Sequence, residues 1–512
     1  MPGVSTYRTV QNCEATSDVT PTGTEYVFKH ALSQEVAYNS LLIEQRRILH
    51  GKAGEALEDM AASQLDDRLD ELAFHYRNSD NVGKAIDFLQ RAGQRALQRS
   101  AASDALNNLN TALDLSRKLS DPSERLIREL ALQFDIASAL TPLKGWAADE
   151  VESSYNRARD ICEQLGRPPQ LFFVWGGLWA TYFIRGEFRT AEDIAQQLLR
   201  EAESLSEPTL LIFGHLTSGD CAYYRGHLLR AKQHLDFVIS AYDPDRTGPL
   251  LQFGFDPKVN SLGFAGTTLW SLGYADQGLV AAEKGLALAS KIGHANTLAG
   301  IQSLASMVHQ YRRSASSVYQ LAEAQRAVSS DHGLSFWLAL ANIPLGWALA
   351  EQGSTDEGIR LIFEGIARYR ATGSGVGLPY HFCLLAEACS RARRLDEALE
   401  AVKEGLRISE ETGGHEHDPE LYRLKGELIL ARGPSDLAEA QECFEQAIAV
   451  GRTQTAKSWE LRATTSLARL LAKQDRREEA RAMLAEIYNW FTEGFDTADL
   501  KGAKALLDEL SR

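Results

Sequence analysis

Along most of this chain apolar residues return every third or fourth position, over runs long enough for about four helical turns. That is the period of an amphipathic helix and not of a strand. The stretch LARLLAKQDRREEARAMLAEIYNWF shows the unit. Leu467, Leu470 and Leu471 share one face of a first helix, and Ala480, Leu484 and Ile487 face back from a second. Short glycine turns separate such runs, as at Arg185-Gly186-Glu187, Arg225-Gly226-His227, Leu272-Gly273-Tyr274 and Gln352-Gly353-Ser354. Proline falls between them at Pro168, Pro169, Pro208, Pro244, Pro249 and Pro257; Pro344 stands inside a helical run and predicts a kink there. One segment reads as a strand: Glu25-Tyr26-Val27-Phe28-Lys29, which alternates and is aromatic and β-branched. The polar residues 1–23 are expected to be flexible.

The helical pairs repeat. A small residue opens each second helix, at Ala191, Ala231, Gly278, Ser317, Gly358, Ala398, Ala440 and Ala480, so the period is about 40 residues. Another small residue precedes most of these by about three turns, as in Ser218-Gly219, Ala265-Gly266, Leu345-Gly346, Leu385-Ala386 and Leu467-Ala468. Small residues let paired helices approach closely, and larger ones fill the gap to the next pair. The predicted fold class is all-α: a right-handed alpha-alpha superhelix of about ten helical pairs.

The pattern resembles tetratricopeptide repeats. The match is best through Trp175, Leu178, Trp179, Tyr182 and Ala191, and through Leu72, Ala73, Tyr76, Ala85, Leu89 and Ala92. The period is longer than the usual repeat of about 34 residues, and glycine or serine replaces alanine at some anchors. A second resemblance covers nearly the whole chain. It is carried by Thr24-Glu25-Tyr26-Val27-Phe28-Lys29-His30-Ala31-Leu32-Ser33-Gln34-Glu35-Val36-Ala37-Tyr38 and by Arg46-Arg47-Ile48-Leu49-His50. Leu143-Lys144-Gly145-Trp146, Asp256-Pro257-Lys258-Val259, Ala371-Thr372-Gly373 and the run from Tyr488 to Thr497 add to it. These segments are similar to the tetratricopeptide-like arm that follows the winged-helix end of bacterial signalling ATPases of the STAND/AAA type. Many such proteins carry a class III adenylate/guanylate cyclase domain, and others transcription-regulator modules. The resemblance implies a winged-helix/ATPase junction remnant at 24–60, irregular helical repeats at 61–170, tetratricopeptide-like repeats at 171–490 and a capping helix at 491–512.

Composition narrows the chemistry. The 512 residues carry 54 basic and 69 acidic side chains, a net charge of −15, which disfavours broad nucleic-acid binding. No apolar run approaches the ~20 residues of a membrane span, and the start lacks the order of a signal peptide, so a cytoplasmic setting is expected. Six cysteines without close pairs read as reduced thiols, with Cys162, Cys221, Cys383, Cys389 and Cys443 in the core. There is no G-x-x-x-x-G-K-[S/T], no H-E-x-x-H and no G-x-S-x-G, so no enzyme, cofactor or metal is expected. His415 and His417 flank Glu416 in a glycine-led turn that reads as solvated. The basic turns Tyr311-Arg312-Arg313 and Arg391-Ala392-Arg393-Arg394 read the same way.

Binding is then expected on the concave face, lined by the first helix of each pair. In a tetratricopeptide frame the inward positions are Phe173, Phe183, Phe213, Asp220, Tyr223, Asn260, Trp270, Gln302, His309, Trp347, Tyr380, Glu387, Arg423, Glu427 and Arg469. Aromatic anchors among scattered polar groups suit a protein or peptide partner. The helix-poor run from Asp243 to Lys258 breaks the rhythm. Its Phe253, Phe255, Asp256 and Lys258 form a candidate lid, and a lid would instead favour a small ligand sensed by a regulatory arm. Val36, Tyr38, Leu41 and Leu42 are expected to expose an apolar face in the absence of an attached module.

Overall fold

The computed structural model describes residues 31–60, 65–99, 101–244, 250, 254–433 and 436–512. Among these the regular elements are twenty-four α-helices and one 3-10 turn, with no strand. The strand expected at Glu25–Lys29 lies outside the described residues. The chain divides into two compact units, Met1–Leu143 and Lys144–Arg512.

The first unit holds α1 (Ala31–Ser40), α2 (Ile43–Met60), α3 (Leu69–Arg77), α4 (Val82–Gln98), α5 (Ala102–Ser116) and α6 (Pro122–Lys144), whose last residue belongs to the second. Asn81 caps α4 by accepting from Lys84 N. The buried face of α4 is Ala85, Ile86, Phe88, Leu89, Ala92 and Gly93. Phe88 stacks on Tyr76 of α3 with ring centroids 5.2 Å apart, so the sequence match at Tyr76 and Leu89 marks a packed helical pair.

The second unit opens with α7 (Asp149–Gln164) and continues in pairs: α8 (Gln170–Arg185) with α9 (Phe188–Leu205), α10 (Pro208–Tyr224) with α11 (Leu228–Ala241), α12 (Pro257–Leu272) with α13 (Ala275–Ile292), and α14 (Ala295–Tyr311) with α15 (Ala315–Asp331). Then follow α16 (Ser335–Glu351) with α17 (Thr355–Ala371), α18 (Leu378–Arg391) with α19 (Leu395–Thr412), α20 (Asp418–Arg432) with α21 (Leu437–Thr453), α22 (Lys457–Lys473) with α23 (Arg477–Tyr488), and the closing α24 (Ala498–Leu510). Helix α16 runs through Pro344 without interruption.

The repeat is stricter than the sequence pattern implied. Seven of the eight expected anchors are the fourth residue of their helix, and in α15 that place belongs to buried Val318, not half-buried Ser317. The fourth position there carries a β-branched residue, so a smallest-residue rule misses it by one. Where both facing residues are glycine, the backbones touch. A Cβ on Gly358 would lie 2.3 Å from Gly346 O, and one on Gly346 would lie 2.4 Å from Gly358 O.

One further property was not legible in the repeat. The last carbonyls of an α-helix have no partner in their own helix. In each of α8, α10, α12 and α14 one of these carbonyls accepts from a later winding of the same solenoid. Ile184 O accepts from Gly375 N (2.8 Å) and Val376 N (3.1 Å), and Tyr224 O from His415 N (2.8 Å). Trp270 O accepts from Ser458 Oγ at 2.6 Å, 188 residues on, and Tyr311 O from the Arg462 guanidinium. The second winding thus lies directly on the first, and the inner helices are buried along most of their length.

The Gly346–Gly358 contact gives a direct check. Gly358→Ala should destabilise the second unit by about 2–4 kcal/mol, through overpacking against backbone. Gly502→Ala, whose Cβ would meet nothing nearer than 3.8 Å, should be neutral or stabilising. Thermal unfolding of the two variants side by side measures both.

Candidate functional site

Where the inner helices meet, the second unit buries a charged network. It starts at the turn after α14. Arg313 holds a left-handed backbone (φ 63°) at a place where Gly186, Gly226, Gly273 and Gly353 stand in other turns. Its guanidinium reaches both oxygens of Glu387 at 2.7 Å and Glu420 Oε1 at 3.2 Å. Arg423 forks onto the same Glu420, with Nε to Oε2 at 2.8 Å and Nη2 to Oε1 at 2.7 Å. Arg462 Nη1 stands 3.5 Å from Glu420, and its Nε donates to Asp499 at 2.9 Å. The Arg462 guanidinium lies over Trp270 (4.8 Å) and over Trp459 (4.9 Å). Trp347 Nε1 completes the set by donating to Glu387 at 2.7 Å.

Three arginines therefore face Glu387, Glu420 and Asp499, with each charge hydrogen-bonded. That is the condition under which buried ions repay their desolvation. Burial alone would raise the Glu420 carboxyl, but Arg423, Arg462 and Arg313 outweigh it and hold the group well below the usual carboxylate range. A second line of buried groups runs beside this network. Tyr223 OH and Tyr311 OH are 3.1 Å apart, Tyr311 OH is 2.6 Å from His417 Nε2, and His417 Nδ1 is 3.0 Å from Glu416 Oε1. Burial raises the Glu416 carboxyl against the opposing pull of His417.

Several expected binding residues belong to these contacts, as interior packing. Asp220 accepts from Asn260 Nδ2 at 2.9 Å. Tyr223, Trp347, Glu387 and Arg423 stand in the two networks above. Trp270 packs 4.6 Å from Tyr311 and 4.7 Å from Trp459, and Tyr380 lies 5.0 Å from His417. Glu427 accepts from Ser466 Oγ at 2.6 Å. Phe213 and Phe183 are buried against Trp179, and Phe173 is half-buried beside Phe172. Gln302 is buried, His309 half-buried and Arg469 exposed, and none of the three joins the central cluster.

In the candidate lid, Asp256 is buried. It caps α12 by accepting from Val259 N, accepts from Tyr242 OH at 2.6 Å, and its own N–H donates to Thr297 Oγ1 at 3.0 Å. Lys258 lies over the Tyr242 ring at 5.3 Å, and Phe255 is half-buried. Phe253 falls outside the described residues.

Two expectations are corrected. The turn at Gly413–His417 and the turn at Arg312–Arg313 were expected to be solvated, yet Glu416 and His417 are buried and Arg312 retains 9% side-chain exposure. The reason is the second winding, which lays one turn on Tyr224 and covers the other. Tyr311, Arg313, Glu416, His417, Glu420, Trp459, Arg462 and Asp499 were therefore missed as members of the centre. The available signal was local and shared: an arginine where sister turns carry glycine, which Arg393 also shows at a turn that stays exposed. Among the described residues no group of three or more His, Cys, Asp or Glu is placed to hold a metal ion. The cysteines at 162, 221, 383, 389 and 443 are all buried and free.

This architecture can be set beside known proteins. No family model matches the chain. A protein of Rhizobium meliloti (strain 1021) described only as uncharacterized is 24% identical over 454 residues, covering 88% of this chain and 44% of that protein, so the chain spans less than half the length of this relative. Among solved structures, a Rap protein complexed with Competence and Sporulation Factor is 14% identical, covering 76% of this chain and all of that one, at TM-score 0.49. The apo form of RapI is 14% identical over 56% of this chain and 98% of that one, at TM-score 0.45. The Cut9–Hcn1 hetero-tetramer of APC/C is 13% identical over 94% of this chain and 99% of that one, at TM-score 0.46.

The centre yields two predictions. Glu420→Gln keeps the shape but leaves Arg313, Arg423 and Arg462 with Glu387, Asp499 and, 3.7 Å from Arg423, the half-exposed Glu427, so it should cost about 3–5 kcal/mol of stability at neutral pH. Because the folded carboxyl titrates below its unfolded value, that loss should shrink as pH falls through the carboxylate range, and denaturant melts at several pH values measure it. Asp220 has the opposite sign. Burial raises its carboxyl well above the ordinary value, and the Asn260 hydrogen bond opposes this only in part. The folded state then holds a proton that the unfolded state releases, so wild-type stability falls as pH rises above the unfolded value. Asp220→Asn should gain about 1–3 kcal/mol at pH 8 and nothing below about pH 4.

Proposed function

We propose that the chain is a non-catalytic protein-interaction arm of a longer, multidomain bacterial signalling protein, working in the cytoplasm, with α1–α3 as the surface that docks the attached module. The observation that carries this reading is the apolar exposure of those helices. Leu42, Ile43 and Met60 are 69%, 68% and 79% exposed, and Val36, Ile48, Leu49 and Phe74 also face solvent. Apolar side chains gathered in so short a stretch are unusual on a free surface and mark a place where something docks. The similarity of residues 24–50 to a signalling-ATPase junction supports an ATPase, cyclase or transcription module as the attached body. No described helix is long and apolar enough to cross a membrane.

A second reading, a small-ligand sensor, draws on buried polar atoms of α10, α12 and α14 that have no protein partner: Ser218 Oγ, Asp220 Oδ1, Ser261 Oγ, Gln302 Oε1 and Ser306 Oγ. Groups of this kind call for water or a polar ligand. The first reading is tested by hydrogen exchange over residues 36–49, in this chain alone and in the longer polypeptide. Exchange should be several-fold slower in the longer protein, where the apolar face is covered. Equal rates in both would remove the basis for docking at α1–α3.

A further inference from the structure

The run between α23 and α24 carries a contact that neither the repeat nor the interaction reading requires. Glu493 reaches back across 217 residues to the start of α13, where it accepts from Asp276 N at 2.9 Å, from Gln277 N at 3.0 Å and from Gln277 Nε2 at 2.8 Å. Asp276 returns the bond, accepting from Gly494 N at 3.0 Å. The geometry is that of a capping box, with helix-start donors and carboxylate satisfied reciprocally, but here its two halves lie 217 residues apart in the chain. Neither half is a good helix start alone: the residue before α13 is Tyr274, whose side chain provides no cap.

Two further contacts sit on either side. Arg312 spans the junction, donating from Nη1 to Ala275 O at 3.0 Å and to Asp276 Oδ1 at 3.1 Å, and from Nη2 to Asp496 at 3.1 and 3.2 Å. The Trp490 ring covers Gly273, which holds φ 103° and where a Cβ would fall 2.4 Å from the indole. Lys457 lies over the same ring at 5.8 Å.

This closure differs in kind from the other joints between windings. At Ile184 and Tyr224 the windings are joined by backbone hydrogen bonds, and at Arg462 by a buried guanidinium. Around Glu493 they are joined by side chains at the rim of the interior: Arg312 and Phe491 are enclosed, Glu493 is half-buried and Asp276 is half exposed. The Asp496 side chain is 68% exposed, and Phe495 and Trp490 are 49% and 38% exposed. Such contacts open more cheaply than buried ones, because water replaces what is lost. The next joint inward is the pairing of Ser458 with Trp270 O at the head of α22, next to Lys457 beneath the Trp490 ring.

We propose that Trp490–Asp496 is a releasable strap that closes the second winding on the first, and that its release is the step exposing the inner helices. The exposure matters for partner binding only if the chain is an interaction arm; the strap itself is read without any partner. The test compares wild type with the double variant Glu493→Ala/Asp496→Ala, and separately with Trp490→Ala, by hydrogen exchange and small-angle scattering. Exchange should accelerate about tenfold or more at residues 457–462 and 270–274, with a larger radius of gyration and with α3–α5 unchanged. Acceleration confined to 275–277 and 490–496, with the radius unchanged, would mean a local helix cap only and would overturn the strap. Because no partner enters the measurement, failure of docking at α1–α3 and failure of the strap are separate results.

Discussion

The second unit is organised by four carbonyls, those of Ile184, Tyr224, Trp270 and Tyr311. An α-helix ends with acceptors it cannot use, and α8, α10, α12 and α14 end in the interior, where water cannot reach them freely. Their partners arrive from chain that lies much later in sequence: backbone N–H groups of Gly375, Val376 and His415, the Ser458 hydroxyl and the Arg462 guanidinium. This requirement sets how tightly the solenoid winds. A looser superhelix would strand the carbonyls of Ile184, Tyr224 and Tyr311, though not that of Trp270, which also accepts from Gly273 N at 3.0 Å, and a tighter one would drive Gly375 into Gly186, which already approach to backbone contact. An ordinary solenoid is quasi-one-dimensional, each repeat touching only its neighbours. Here contacts 188 residues apart couple repeats that are not neighbours, so the unit is expected to unfold more cooperatively than a sum of repeats.

The buried ions follow from the same winding. Turning two layers of helix onto each other encloses the turn after α14, and any charge there must be paired. Arg313 is paired twice, with Glu387 and Glu420, while holding backbone dihedrals that glycine holds in four sister turns. A left-handed arginine costs about 1 kcal/mol or more, and at Arg313 two ion pairs act against that cost. Arg393 adopts the same dihedrals at a turn that stays exposed, so its side chain has no comparable role in the interior. The contrast separates a turn that the fold has enclosed from one that merely repeats its shape.

Closure also moves the places where a partner would meet this chain. A tetratricopeptide-like array offers its inner helices when the superhelix is open. In this molecule the residues that would line such a face are mostly occupied by each other: Trp347 by Glu387, Trp270 by Arg462, Tyr223 by Tyr311. Large apolar groups are instead exposed on α1–α3 and α6 of the first unit and, in the second, singly at Leu205, Leu229, Val280, Tyr319 and Phe363 and together around Trp490 and Phe495. These are the surfaces left over once the carbonyls and the charges have been satisfied.

The sequence by itself determined the helices, their pairing and the period, because those depend on contacts within a repeat. Apolar spacing, glycine at turns and a small residue at the fourth position of each second helix are local facts, and they located seven of eight anchors. The exception is Val318, a larger residue at the fourth position, which a search for the smallest residue passes over. Of the apolar residues expected to be exposed near the start, Val36, Tyr38 and Leu42 are exposed and Leu41 is half-buried, while the exposure of Ile43, Met60 and Phe74 was not read from the pattern. Tertiary structure alone decided the winding. Whether His417 is solvated, whether Arg313 is a surface turn and whether Tyr380 lines a groove all depend on chain far away in sequence. The backbone groups that decide it, such as the N–H of His415 and the carbonyl of Tyr224, are common to every residue and leave no mark in the order of side chains.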